Sequence, residues 1–134
     1  MLTTTVTLTA TPAKVWEYFT SPAHVKNWNN ASPDWHTPNA TNDLHVGGKF
    51  NYTMAAKDGS MSFDFWGIYT QIETEKTLHY TLGDDRKVKI DFSTNGTEVT
   101  VTQQFEPETE NPTDLQQQGW QAILNNFANY VTNN

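Results

Sequence analysis

Residues 2–10 alternate without a break. Leu2, Thr4, Val6, Leu8 and Ala10 fall on one side, and Thr3, Thr5, Thr7 and Thr9 on the other. A period of two, rich in β-branched residues, predicts a strand. The period changes at Thr11-Pro12. Thr11 has the chemistry of an N-cap, and Pro12 suits the first helical position. Val15, Trp16 and Phe19 then recur at helical spacing. Ser21-Pro22 repeats the start signal, and Val25 and Trp28 fall about one turn apart. The chain therefore predicts two short helices with a break near Thr20.

Residues 29–43 are rich in Asn, Pro and Asp and read as a loop. A loop this long is unusual and is often a lid or binding loop. It carries Trp35 and His36. From Val46 onward the period of two returns. Phe50, Tyr52 and Met54 alternate with Lys49, Asn51 and Thr53, and Asp58-Gly59 is a hairpin turn. Met61, Phe63, Phe65, Gly67 and Tyr69 share one face of the next strand. Ile72 breaks that parity and predicts a bulge near Thr70. Leu78, Tyr80 and Leu82 mark a further strand, ended by Gly83-Asp84-Asp85. Val88, Ile90 and Phe92 mark another, ended by Asn95-Gly96. Val99, Val101, Gln103 and Phe105 mark the last.

After an acidic connector over residues 107–111, Pro112-Thr113-Asp114 opens a long helix. Leu115, Gly119, Trp120, Ile123, Leu124, Phe127, Tyr130 and Val131 make one apolar stripe. A helix this one-sided must cover an apolar sheet face. The expected fold is α+β: a curved six-stranded antiparallel sheet around a long C-terminal helix, with two short helices after the first strand. Residues 1–134 form a single domain. A curved sheet gripping one helix leaves a cavity between them.

Composition changes this picture in one respect. Seven Phe, five Trp and five Tyr make up about a third of the apolar residues, so large flat rings dominate the interior. Charge narrows the partners. The net charge is −7 and Arg86 is the sole arginine, so no basic stripe offers itself to nucleic acid. No apolar run reaches membrane-spanning length. Met1-Leu2-Thr3-Thr4-Thr5 does not read as a signal peptide, and cysteine is absent, both of which fit a cytoplasmic location. A monomer and a homodimer are equally compatible with the sequence.

Several segments also carry a family resemblance. They are Val15-Trp16-Glu17-Tyr18-Phe19-Thr20-Ser21-Pro22 with Trp28, and Val46-Gly47-Gly48-Lys49-Phe50. Two more are Gly67-Ile68-Tyr69-Thr70-Gln71-Ile72-Glu73 and Gln118-Gly119-Trp120 with Leu124, Phe127 and Tyr130. In order and along nearly the whole chain, they resemble the Hsp90-ATPase-activator-homologue (AHSA1-like) family of the START/Bet v 1-like (SRPBCC) superfamily. The chain departs at Glu73-Thr74, where that family has a Pro pair, and at Gln71 and Phe127. The resemblance implies the helix-grip fold and a hydrophobic cavity.

Chemistry-bearing motifs are scarce. No two of His24, His36, His45 and His79 stand at a metal-ligand spacing, so no metal site is expected. No G-x-S-x-G elbow or phosphate loop is present, and Gly47-Gly48 reads as a tight strand entry. Asp64 falls opposite Phe63 and Phe65 and should face solvent. No catalytic residue and no cofactor is assigned. What remains is a candidate wall for a small apolar or aromatic ligand. Phe50, Tyr52, Met54, Phe63, Phe65 and Tyr69 come from the sheet. Trp120, Ile123, Leu124 and Phe127 come from the last helix, with Trp28, Trp35 and His36 completing the set. Tyr52, Tyr69 and Tyr80 would add hydroxyl groups. An enzyme of the cyclase or hydrolase type would need a buried acid or base from His36, His79, Asp64 or a Tyr. A chaperone-regulator role is suggested only by the family's name.

Overall fold

The structure is a computed structural model describing residues 1–134. The elements follow in chain order as β1 (Leu2–Thr9), α1 (Pro12–Thr20), α2 (Pro22–Trp28), β2 (Trp35–Asn42), β3 (Lys49–Ala56), β4 (Ser62–Glu73), β5 (Thr77–Leu82), β6 (Lys87–Asn95), β7 (Glu98–Phe105) and α3 (Thr113–Asn133). The Thr11 hydroxyl caps α1 by accepting from Lys14 N at 3.2 Å. The break after Thr20 is real: Ser21 is extended, and Pro22 restarts the helix.

All strands join one antiparallel sheet in the order β1-β7-β6-β5-β4-β3-β2. It has seven strands, where the sequence predicts six. The extra one is β2, which occupies half of the expected loop over 29–43. Its composition hides it: Pro38 and Asn39 lie within it, and it pairs with β3 alone. As an edge strand it tolerates Pro38, whose missing N–H coincides with a shift of register between His36 and Asn39. The bulge expected near Thr70 is present between Tyr69 and Gln71.

Both edges of the sheet reach α3. At the β1 edge, the Gln121 side chain accepts from Thr5 N at 3.2 Å and donates to Thr5 O at 2.9 Å. Gln117 Nε2 donates to Thr3 O at 2.9 Å. These amides satisfy backbone groups that an edge strand leaves open. At the other edge α2 packs on β2, and Asn126 Nδ2 donates to Asn30 O at 3.0 Å. The sheet thus curls around the helix in a half-barrel.

Packing between sheet and helix differs along α3. Its C-terminal half is solid core. Leu124, Phe127 and Val131 are fully buried, and Phe127 meets Phe19 and Trp28 edge-on with ring centroids 5.1 and 5.0 Å apart. Its N-terminal half stands over a gap. Three glycines fit the sheet to close neighbours. Gly47 has φ of +86°, a conformation that favours glycine, and a Cβ on Gly48 would strike the Asp43 carbonyl. Gly67 leaves room for the Phe50 ring to lie across β4. No helix is long and apolar enough to cross a membrane.

Candidate functional site

Interiors normally pack as densely as organic crystals. The gap under α3 is therefore a feature of the fold: a cavity of about 440 Å³, lined by 21 residues of which 14 are hydrophobic. That volume lies in the range of small-molecule sites. Period-two alternation puts Phe50, Tyr52 and Met54 of β3 on its floor, with Phe63, Phe65 and Tyr69 of β4 beside them. Leu78 and Tyr80 of β5 and Gln103 of β7 extend the floor. The roof is one stripe of α3: Leu115, Gln116, Gly119, Trp120 and Ile123. Phe19, Trp28, Asn29 and Ala31 close the end next to the packed core. Phe63 and Leu115, 49% and 57% exposed, mark where the cavity opens to solvent.

Nine of the thirteen residues that the sequence nominates meet in this wall: Trp28, Phe50, Tyr52, Met54, Phe63, Phe65, Tyr69, Trp120 and Ile123. Four do not. Leu124 and Phe127 belong to the packed core, one turn beyond the roof. Trp35 and His36 begin β2 and form no lid. Trp35 leans on the outer Phe63 ring at 5.9 Å between centroids, and His36 faces solvent. Asn29, Gln103 and Gln116 are wall residues that the sequence reading missed. For Gln103 the signal was present: it is a polar residue at the inward parity of its strand.

The polar groups of the wall are mostly neutral. Burial pushes the phenols of Tyr52, Tyr69 and Tyr80 well above the usual range, so all three stay protonated at neutral pH. Tyr69 donates to Asn42 Oδ1 at 2.7 Å, and Asn42 Nδ2 donates to Thr20 O at 2.8 Å. Asn29 Nδ2 donates to Thr37 Oγ1 at 3.2 Å.

Two charges stand at the wall, both already engaged. Arg86 Nε donates to Asp84 Oδ2 at 2.7 Å. The Glu108 carboxylate accepts from Glu110 N, Asn111 N and Asn111 Nδ2 at 2.7–2.9 Å, which holds its pKa below the ordinary value.

The remaining ionisable candidates lie elsewhere. Asp64 is exposed on the outer face and accepts from Thr53 Oγ1 at 2.8 Å. His79 is on that face too, 3.4 Å from Asp91 Oδ1. His24 stacks on Tyr18 with its Nδ1 2.8 Å from the Tyr130 hydroxyl, and His45 pairs with Asp43 in an exposed turn. No three His, Asp or Glu side chains converge to hold a metal ion.

Comparisons with known proteins bear on the fold and the lineage. An AHSA1-like protein from Aeromonas hydrophila, solved by NMR, is 37% identical with a TM-score of 0.90. The match covers 98% of this chain and 93% of that one. A protein from Cytophaga hutchinsonii is 53% identical with a TM-score of 0.85, over 98% of this chain and 91% of that one. A protein from Nitrosomonas europaea shares the fold at 19% identity and a TM-score of 0.83, over 98% and 94%. No curated protein matches the chain. The family model described as "Activator of Hsp90 ATPase homolog 1-like protein" matches residues 9–132, and the chain belongs to that AHSA1-like family.

Proposed function

We propose that this protein binds a small apolar or aromatic molecule in the cavity between its sheet and α3. One observation carries the reading: the roughly 440 Å³ gap is bounded mainly by rings and aliphatic groups, where ordinary packing would have closed it. Apolar walls hold water poorly, so an apolar molecule entering the gap gains the burial of both surfaces. Rings and phenol hydroxyls together fix the orientation of a guest better than aliphatic walls alone. Of the groups an acid–base enzyme would have drawn on, His36, His79 and Asp64 lie off the wall, and the tyrosines on it are phenols that burial keeps protonated, which favours binding over turnover.

Thermal-shift titration with uncharged aromatic compounds tests the reading. Binding raises the melting temperature with ligand concentration, as mass action requires. A panel that leaves the melting temperature unmoved, together with NMR shifts absent from the wall residues, overturns it.

A further inference from the structure

We propose that Gln103 is the polar anchor of this cavity, and that the molecule it selects is uncharged and offers Gln103 a hydrogen-bond acceptor such as a carbonyl oxygen. The inference rests on the binding role proposed above and names the chemistry that role would select.

Gln103 interrupts an apolar series. The other inward residues of β7 are Val99, Val101 and Phe105. Its partner across the β1–β7 ladder is Thr4, itself flanked inward by Leu2 and Val6. Thr4 is 1% exposed and Gln103 8%, so two polar side chains are buried as a directly opposed pair. Burying them is unfavourable unless their hydrogen bonds are made. Thr4 Oγ1 donates to Gln103 Oε1 at 3.0 Å. The Gln103 amide nitrogen takes no partner in the protein, yet it is not sealed off, because the residue lines the cavity.

Gln116, also on the wall, is a buried glutamine whose amide the protein uses in full. Its Oε1 accepts from Glu108 N at 2.9 Å, and its Nε2 donates to Glu108 O and Asn111 O at 3.0 and 2.8 Å. Both ends are tied. Gln103 is tied at its oxygen alone.

That tie decides the polarity of the site. Thr4 is a positioning residue: by donating to the amide oxygen it turns the NH2 group toward the cavity. An amide nitrogen only donates, so its guest must accept. The guest must also be neutral. Arg86, the cation of the wall, is held by Asp84, and no other cationic side chain lines the cavity to replace the hydration of a buried carboxylate. Tyr52 and Tyr80 are protonated phenols.

Three probes of one shape separate these terms. They are 2-acetylnaphthalene, which carries a ketone, 2-ethylnaphthalene, which lacks the acceptor, and 2-naphthoate, which is charged. Quenching of tryptophan fluorescence reads binding, since Trp28 and Trp120 line the cavity. The wild-type protein should bind the ketone about tenfold more tightly than the hydrocarbon, the worth of one buried hydrogen bond, and more tightly than the naphthoate. Gln103→Leu should abolish the ketone preference while holding the hydrocarbon. Thr4→Val should leave an intermediate preference. Gln103→Met, of similar length but without a donor, serves if the leucine variant does not fold.

Equal binding of ketone and hydrocarbon by the wild type, or an unchanged preference in both Gln103 variants, overturns the anchor and leaves the cavity role standing. An unchanged preference in Thr4→Val overturns the positioning by Thr4. Naphthoate binding as tight as the ketone overturns the neutrality of the guest. No binding of any probe by the wild type overturns the cavity role itself and the anchor with it.

Discussion

Phe105 and Trp120 lie face to face, with ring centroids 3.9 Å apart and planes 8° from parallel. Phe65 stands nearly perpendicular to the same indole, with ring centroids 5.9 Å apart. Trp120 therefore stands as a post between β7, β4 and α3, and the cavity is the space beside that post. Trp120→Ala should destabilise the fold by about 3 kcal/mol, through lost burial and lost stacking. Trp120→Phe keeps a ring on Phe105 and should cost about 1 kcal/mol. Urea unfolding measures both, and the alanine variant should also weaken any aromatic probe of the cavity.

Two glycines beside the cavity should respond to alanine with opposite sign. At Gly67 a Cβ would stand 2.9 Å from both Phe50 Cε1 and the Thr81 carbonyl oxygen, so Gly67→Ala should destabilise by about 2 kcal/mol. At Gly119, inside α3, a Cβ meets nothing within 4 Å. Gly119→Ala should stabilise by about 0.5–1 kcal/mol through helix propensity while adding a methyl group to the roof. Thermal melts of the two variants decide the matter. A destabilised Gly119→Ala would mean that the roof lies closer to the floor than described.

Stability should fall steeply in alkali. Unfolded tyrosine ionises near pH 10. Burial raises Tyr52, Tyr69 and Tyr80 well above that value in the fold. Above about pH 10 the unfolded chain thus binds fewer protons than the native one, and stability is lost as pH rises. Three such groups remove up to about 4 kcal/mol per pH unit in that range, and their contribution is constant below about pH 9. These three should show tyrosinate absorbance only together with loss of near-ultraviolet circular dichroism. Tyr80→Phe should remove about a third of the slope.

Gln121 ties α3 to both backbone groups of Thr5. Gln121→Ala should cost about 1 kcal/mol and leave that stretch of the β1 edge unpaired. Amide hydrogen exchange at Thr5 should speed up, while exchange at Val6, which pairs with Val101 inside the ladder, changes little.

Legibility in the sequence followed periodicity. The two Pro-started helices, the meander and its bulge after Tyr69, and the one-sided α3 could all be read because each is a local pattern. β2 could not. Its Trp35, Thr37 and Thr41 favour strands, but Pro38, Asn39 and Asn42 oppose them, and pairing with β3 imposes the conformation. The candidate wall failed where parity was asked to report depth. Leu124 and Phe127 share the apolar stripe with Trp120 and Ile123, but the stripe shows only which way a side chain points. Whether it meets packed rings or a gap is set by α1 and α2, whose Phe19 and Trp28 fill the space under Phe127 but do not reach the space beside Trp120. Gln103 was visible as an oddity of strand parity, and only the Thr4 hydroxyl beside it gives that oddity a meaning.

The glutamine ties along β1 explain how an apolar gap survives in a fold held together by apolar burial. Hydrophobic attraction has no preferred length and rewards collapse. The hydrogen bonds of Gln117 and Gln121 do have a length, and they hold α3 at the sheet's rim as spacers. The spacing of α3 from the sheet is thus fixed at the rim by side chains of one length and inside by the stack of Trp120 on Phe105. A shorter amide at position 121 should therefore let go of Thr5 before it lowers the roof, because Trp120 already rests on Phe105 and Gln117 still holds Thr3.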